Sequence, residues 1–410
     1  MENLKGQWVI FFAGIFIVWL VSGCASELIE NESLDIDNSL VYCTAKLSNT
    51  CKNFEDQHEL PRVIHQNEQH WSGSSINSWT SGFYPGLLWL MYNYTGEEQW
   101  KQNATYYTEL LEPIKRLPWK THDFGFMMYY SYGLGYDLTQ NKKYRAILLE
   151  TADSLARLYN PEVGAMESWP WMKRKRGWPH TTIIDNMMNL ELLFWAAENG
   201  GNPNYVNMAI HHARKTQEDF IRPDHSTFHI VVYDSVSPNI IRKETDQGVS
   251  AETTWARGHS WATYGFIKAY KYCNEQDFLM TAMDLANYYI QNCPEDLIPY
   301  WDFDAPLIPN EPRDASAAAI MASAMLEISS LSNDDEVKQK YYLTALQILS
   351  TLSSEEYLST ENDAFLTHSI SSKPANSGVN VSLIYTDYYY LEALLKAKQM
   401  AAEATFANVH

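Results

Sequence analysis

Leu138-Thr139-Gln140-Asn141 is a short polar break between two unlike helical stretches, and the fold is read outward from it. The stretch before it is apolar and rich in Met, Gly and aromatic residues. The stretch after it, Tyr144 to Leu158, carries apolar residues at helical spacing on one face only. The same unit recurs around Tyr94-Thr95-Gly96-Glu97, Asn199-Gly200-Gly201-Asn202, Cys273-Asn274-Glu275-Gln276 and Ser332-Asn333-Asp334-Asp335. A first helix near Ser39 to Phe54 and a last near Ser382 to Met400 bring the total to about twelve. Strand-like alternation is scarce.

The connections alternate in length. Turns inside each hairpin take roughly two to five residues, as antiparallel neighbours require, whereas most links between hairpins take about 20 to 35, with one near eight. In a ring of antiparallel hairpins every long link emerges at the same end. The pattern predicts an all-α fold, an (α/α)6 barrel or six-hairpin toroid with one elaborate face. An open α-solenoid or a pair of helical bundles is the alternative.

Aromatic residues make up 14% of the 410, including 14 Trp and 27 Tyr. Flat apolar sugar faces stack on flat rings, so this content suits a carbohydrate cleft, although helical cores also use Tyr and Trp. The formal net charge of −20 argues against a nucleic-acid partner. The one concentrated positive stretch is Lys173-Arg174-Lys175-Arg176.

Residues 1–23 read as a targeting segment, with Lys5 ahead of the apolar run Val9 to Leu20. Leu20-Val21-Ser22-Gly23-Cys24 resembles a bacterial lipobox, which implies cleavage before Cys24, lipidation of its thiol and an exported periplasmic or outer-membrane lipoprotein. Contact with a membrane is expected only through that anchor. Residues 24–38 then read as a linker and 39–410 as one catalytic domain. Cys43 and Cys51, eight residues apart on one helix, are about 12 Å apart, too far to bridge. Cys273 and Cys293 fall at opposite ends of a hairpin, so no disulfide is expected.

Four stretches on the elaborate face hold the chemistry. They are His70-Trp71 to Gly82-Phe83-Tyr84-Pro85-Gly86, His122-Asp123-Phe124-Gly125-Phe126, Trp169 through Trp178 to Ile184-Asp185-Asn186-Met187-Met188-Asn189, and Gln247-Gly248 with Trp255-Ala256-Arg257-Gly258-His259-Ser260-Trp261. Asp123 stands where a helix N-cap would. Asp185 follows Ile183-Ile184, where an unpaired carboxylate would be costly. Two carboxylates at one barrel mouth would push one pKa upward, as a proton donor near neutral pH needs.

In order and spacing these motifs resemble those of the unsaturated glucuronyl hydrolases, family 88 of the glycoside hydrolases, from about Ser39 to Lys398. The resemblance implies Asp185 as general acid/base and Asp123 as its partner. It implies a substrate with a 4,5-unsaturated uronic acid at its non-reducing end, as polysaccharide lyases leave on glycosaminoglycan fragments. Asp185 would protonate C4, water would add at C5, and the resulting hemiketal would collapse and release the neighbouring sugar. Substrate contacts are implied for His122, His229, Gln247, Trp255, Arg257 and Trp261. Arg257 is suited to forking a uronate carboxylate. Trp71 and Trp169 or Trp171 are expected to wall the cleft. Ser369, Ser371, Ser372 and Lys373 fall in the last long loop, where family members that accept sulfated disaccharides use serines and a lysine; the spacing here departs from that pattern.

No His-Glu-x-x-His, zinc-spaced Cys pair, P-loop or Gly-x-Ser-x-Gly is present, so neither metal nor cofactor is expected. His211-His212 is expected on the surface, and Asp314 reads as an N-cap. Asp302 and Asp304 carry no assigned role, and nothing in the sequence sets an oligomeric state. Two alternatives share the aromatic cleft: an unsaturated rhamnogalacturonyl hydrolase acting on pectin fragments, and a glycan-binding lipoprotein that would need neither Asp123 nor Asp185.

Overall fold

Asp35 accepts the amide of Asn38 and opens the first helix, Ile36–Asn53, ahead of its expected start near Ser39. The computed structural model describes residues 34–54, 58–117 and 121–407, and the segment from Leu34 onward clusters as one unit. The targeting segment and Cys24 lie outside the described residues.

Thirteen α-helices are present among the described residues; one, the short Met172–Arg176, lies within a link, and twelve build a ring. The six inner arms are Phe83–Thr95, the π-helix Gly125–Gly133 continued by Leu134–Thr139, the 3-10 turn Ile184–Asn189 continued by Glu191–Glu198, Ala256–Cys273, Ala315–Leu331 and Ile384–Ala407. Each packs on the next, and the last packs on Phe83–Thr95, which closes the ring and excludes an open solenoid. The outer arms Ile36–Asn53, Glu98–Leu110, Lys142–Ala156, Tyr205–Phe220, Gln276–Asn292 and Asp335–Leu352 each back one inner arm. Inner arms touch neighbours on several sides and so are apolar nearly all round, whereas outer arms bury one stripe. Ala315–Leu331 shows the consequence: Ala317, Ala318, Ala319, Ala322 and Ala324 are buried and allow close approach to the arms on either side.

Left-handed residues end three of the inner arms, Gly96 at φ 71°, Gln140 at 55° and Asn274 at 56°, and reverse the chain within a few residues. At that end of the ring charged pairs bridge neighbouring arms. Lys268 binds Glu191 at 2.5 Å, and Lys396 binds Glu327 at 2.9 Å.

The links 54–82, 111–124, 157–183, 221–255, 293–314 and 353–383 run on the opposite face, at the N-termini of the inner arms. The shortest of them includes the 3-10 turn Glu112–Arg116 and exceeds the eight residues expected. Strands are more plentiful than the sequence pattern indicates, because the links pair with one another across long stretches of chain. Ser72–Ser74, Leu60–Ile64, Ser377–Leu383 and Ser369–Ser372 form one antiparallel sheet; His180–Ile183, Ile230–Tyr233 and Ile240–Glu244 form another.

Cys43, Cys51, Cys273 and Cys293 are all free thiols. Among the described residues no helix is long and apolar enough to cross a membrane. One surface expectation is overturned: His212 is fully buried and its Nδ1 accepts the Met166 amide at 3.0 Å, while His211 stays at the surface against the Tyr159 hydroxyl. The helix turns its Ala209-His212-Ala213-Thr216 face inward.

Candidate active site

The inner-arm N-termini meet around a small cleft lined by Trp79, His122, Asp123, Phe126, Trp169, Ile183, Asp185, Gln247, Trp255 and Arg257. Its two carboxylates arrive from adjacent arms. Asp185 lies in the turn Ile184–Asn189, which follows directly from the strand His180–Ile183. Asp123 precedes the π-helix, and nothing in its side chain caps that helix; instead the Thr121 hydroxyl donates to Asp123 Oδ2 at 3.0 Å. Asn189 joins the two arms by accepting the Phe126 amide at 3.0 Å. A Cβ at Gly125 would stand 2.6 Å from the Asn189 backbone, so only glycine lets the arms approach this closely.

The strand pairing also delivers His229. Ile183 opposes Ile230, and the Ile184 amide donates to the His229 carbonyl at 3.0 Å, which sets the imidazole Nε2 3.9 Å from Asp185 Oδ2. The Asp246 amide donates to His229 Nδ1 at 3.2 Å, with the Thr245 hydroxyl 3.1 Å away. An Nδ1 that accepts an amide proton carries none, so the ring's own proton is on Nε2 and faces Asp185.

Burial governs the charges. It pushes Asp185 up to about 7, an effect opposed by the Arg257 guanidinium and reinforced by Asp123. Burial likewise raises Asp123 to about 7, against the Thr121 hydrogen bond. Burial pushes His122 and His229 down to about 3, so both rings are neutral. His122 Nε2 lies 3.2 Å from Asp123 Oδ1, yet neither ring nitrogen of His122 makes a hydrogen bond; this is a contact with a neutral ring, not an ion pair. Asp185 Oδ2 and His229 Nε2 are also buried without partners. Unsatisfied polar atoms cost roughly 1–3 kcal/mol each in a folded protein, and here they gather on His122, Asp185 and His229, at and beside the cleft.

Aromatic rings frame these groups. Trp255 packs on His229 at 4.6 Å, and Trp169 meets His122 and His229 edge-on at 6.4 and 6.0 Å. Trp169 holds a left-handed backbone, φ 53°, a conformation that costs of order 1–3 kcal/mol in a non-glycine residue and persists where the surroundings enforce it.

With this geometry in hand, the sequence profile of Glycosyl Hydrolase Family 88 matches residues 46–405. The chain belongs to this family. It is a glycoside hydrolase of the unsaturated glucuronyl hydrolase kind with an (α/α)6 barrel. An unsaturated glucuronyl hydrolase of Formosa agariphila is 42% identical over 83% of this chain and 82% of its own length. An unsaturated chondroitin disaccharide hydrolase of Streptococcus pyogenes is 29% identical over 78% of this chain and 80% of its own. The crystal structure of an unsaturated glucuronyl hydrolase specific for heparin superposes with a TM-score of 0.85 at 35% identity, covering 90% of this chain and 98% of that one.

Within this family 88 site, Asp123, Asp185, His122, Gln247, Trp169, Trp255 and Arg257 line the cleft, and His229 stands against Asp185 and Trp255. Arg257 is placed differently from the carboxylate fork expected of it. It is 2% exposed, and both terminal nitrogens are occupied. One binds Asp314 Oδ2 at 3.0 Å and the Ile370 carbonyl; the other binds Gln247 Oε1 and the Ser371 carbonyl, each at 2.7 Å. Asp314 does cap its helix, through the Ser316 amide at 3.1 Å, and is in addition the counter-ion of Arg257.

Several expected contacts fall away from the cleft lining. Trp71 is buried with its indole N–H on Thr50 Oγ1 at 3.1 Å. Trp261 is fully buried between Phe126 and Tyr389, because it lies one turn and a half into its helix rather than at the start. Ser369 is buried against Thr386 Oγ1 at 2.9 Å. Ser372 and Lys373 stand at the end of a β-hairpin outside the cleft, and the nearby strand contributes carbonyls to Arg257 instead.

The motifs did not single out Trp79, Phe126 and Ile183 as cleft residues. Each stands within a few residues of an inner-arm N-terminus, and that proximity was the available signal. Asp302 also gains a role: its Oδ2 accepts the Val249 amide and the Thr253 hydroxyl, while Asp304 accepts the Thr254 amide, fixing the loop that carries Gln247 and Trp255. Among the described residues no three His, Cys, Asp or Glu side chains converge as a metal site would need.

Proposed function

We propose that this family 88 enzyme removes the 4,5-unsaturated uronyl residue from the non-reducing end of glycosaminoglycan-derived oligosaccharides by hydrating its double bond. The observation that carries the reading is a buried carboxyl, Asp185, raised to about 7, with Oδ2 unpartnered in an aromatic cleft. In that environment the acid is substantially protonated near neutral pH and can give its proton to C4.

The double-bond electrons form the new C4–H bond and leave positive character on C5 and the ring oxygen. Water then bonds to C5 while the Asp185 carboxylate takes its proton, so Asp185 is restored and one water is consumed. The C5 hemiketal opens to a ketone, C1 becomes a hemiacetal, and its collapse expels the neighbouring sugar's hydroxyl. His229 Nε2–H and the Gln247 amide supply neutral donors to the sugar. Trp79, Trp169 and Trp255 supply its apolar walls. One related enzyme is specific for heparin and another is an unsaturated chondroitin disaccharide hydrolase, which supports the substrate class.

The test is loss of the unsaturated uronate's ultraviolet band with chondroitin and heparin disaccharides across pH. Bleaching is expected, with kcat falling as pH rises through about 7 and the acid loses its proton. No bleaching of any unsaturated disaccharide would overturn the reading.

We also propose export and lipid attachment through Cys24, on the strength of the apolar run and the Leu20 to Cys24 stretch that ends in the cysteine. The full chain is expected to fractionate with membranes in its bacterial host. The Cys24→Ser variant is expected in the soluble fraction, and equal membrane recovery would refute the anchor.

A further inference from the structure

The basic run Lys173–Arg176 sits beside the cleft, and no step of the proposed reaction uses it. We propose that the helix Met172–Arg176 is an outer binding site for sulfate groups on the sugars beyond the bond broken, which directs the enzyme to sulfated oligosaccharides longer than a disaccharide. The inference rests on the activity proposed above only for the direction in which the substrate chain leaves the cleft.

Trp169 links the helix to the site. Its ring lines the cleft, and its carbonyl accepts the Met172 amide at 2.9 Å, so one left-handed residue both presents the indole and starts the helix. The next ring outward, Trp171, lies 6.4 Å from that of Trp169 at a tilt of 35° and is 40% exposed. The aromatic wall therefore continues from the cleft onto the surface. Lys175 is four residues beyond Trp171, and its amide donates to the Trp171 carbonyl at 3.1 Å, which puts the two side chains on one face.

The charges are held in place but left unneutralised. Met172 and Trp178 are buried with Ile183, Ile230 and Val232, and Ile183 also lines the cleft two residues before Asp185. The helix is thus fastened to the strand that delivers the acid. Arg176 lies over Trp178 and pairs with Asp246 at 3.2 Å, next to Gln247. Among the described residues Lys173, Arg174 and Lys175 have no acidic partner within ion-pair distance, although the protein carries a net charge of −20. Lys173 lines a separate cavity with Arg157 and Glu167, whereas Arg174 and Lys175 are exposed outside it. Unpaired cations within one helical turn, about 5 Å, are spaced more densely than one carboxylate per disaccharide can match, and sulfates supply that density.

The test compares wild type with Arg174→Glu/Lys175→Glu on an unsaturated disaccharide and on sulfated and desulfated unsaturated tetrasaccharides. For the sulfated tetrasaccharide, KM is expected to rise about ten-fold or more with kcat retained, and added salt is expected to erase the wild-type advantage. The disaccharide and the desulfated tetrasaccharide are expected to be unaffected, and Arg174→Lys to behave as wild type. Equal losses on all three substrates, or no loss on any, would overturn the proposal. Calorimetric binding of a saturated sulfated tetrasaccharide decides it independently of turnover: wild type binds and the double variant does not. Absent disaccharide turnover would instead count against the hydration reading.

Discussion

Asp185→Asn is expected to lower kcat by about three orders of magnitude, in line with the 10²–10⁴ that a positioned general acid/base contributes. The amide matches the carboxyl in shape but offers no acidic proton for C4 and no carboxylate to take the proton of the attacking water. KM is expected to change little, because the rings and neutral donors of the cleft remain. The same variant has a distinctive stability profile. The native pKa of Asp185 lies near 7, above the roughly 3.9 of an unfolded aspartate. Between those values the native state holds a proton that the unfolded state has lost, so wild-type stability falls as pH rises from about 4 to 7 and levels off above that. An amide does not titrate in this range and escapes the loss, so the variant's melting temperature relative to wild type should climb across that window. Full activity in the variant would remove Asp185 from the mechanism, and a flat difference in melting temperature would deny its buried, protonated state.

Arg257→Met is expected to cost about 3–5 kcal/mol of stability and most of the activity, since removing one partner strands a buried charge. Asp314 is fully buried, and its Oδ2 would face an apolar side chain, while the Ile370 and Ser371 carbonyls would lose their donor. Methionine keeps an aliphatic stem between Trp255 and Tyr385, so the loss isolates the charge. Gln247 would lose the bond that orients its amide. Adding Asp314→Asn should recover much of the stability, because asparagine still caps Ser316 without a charge, yet leave activity low. Arg257→Lys should fail to substitute, since an ammonium cannot span four acceptors on two sides. If Arg257→Met instead raised KM alone and left the melting temperature unchanged, the guanidinium would be a substrate fork after all.

The two variants mark the limits of reading the site from its motifs. Asp185 was legible because a carboxylate beside Ile183-Ile184 is costly to bury and stands out within an apolar run. Arg257 was ambiguous because a guanidinium suits either a substrate carboxylate or a buried aspartate, and its pairing depends on Asp314 and on a hairpin more than a hundred residues away. Trp71 and Trp79 share one stretch of sequence and one chemistry. Only the strand Ser72–Ser74, which turns the first away, and the arm starting at Phe83, which presents the second, separate them. His212 shows the same ambiguity on an outer arm, where one residue's rotation decides surface or core.

The sequence by itself determined the ring, its single elaborate face and the two carboxylates. Helical hairpins are local, and their apolar periodicity and polar turns are written within some thirty consecutive residues. What only the tertiary structure decided was the long-range partner of each polar group at the site. The tautomer of His229, the raised acids Asp123 and Asp185, and the captive Arg257 all follow from links pairing across the ring. Burial and hydrogen bonding there depend on atoms brought together by folding, and no local pattern encodes those distances.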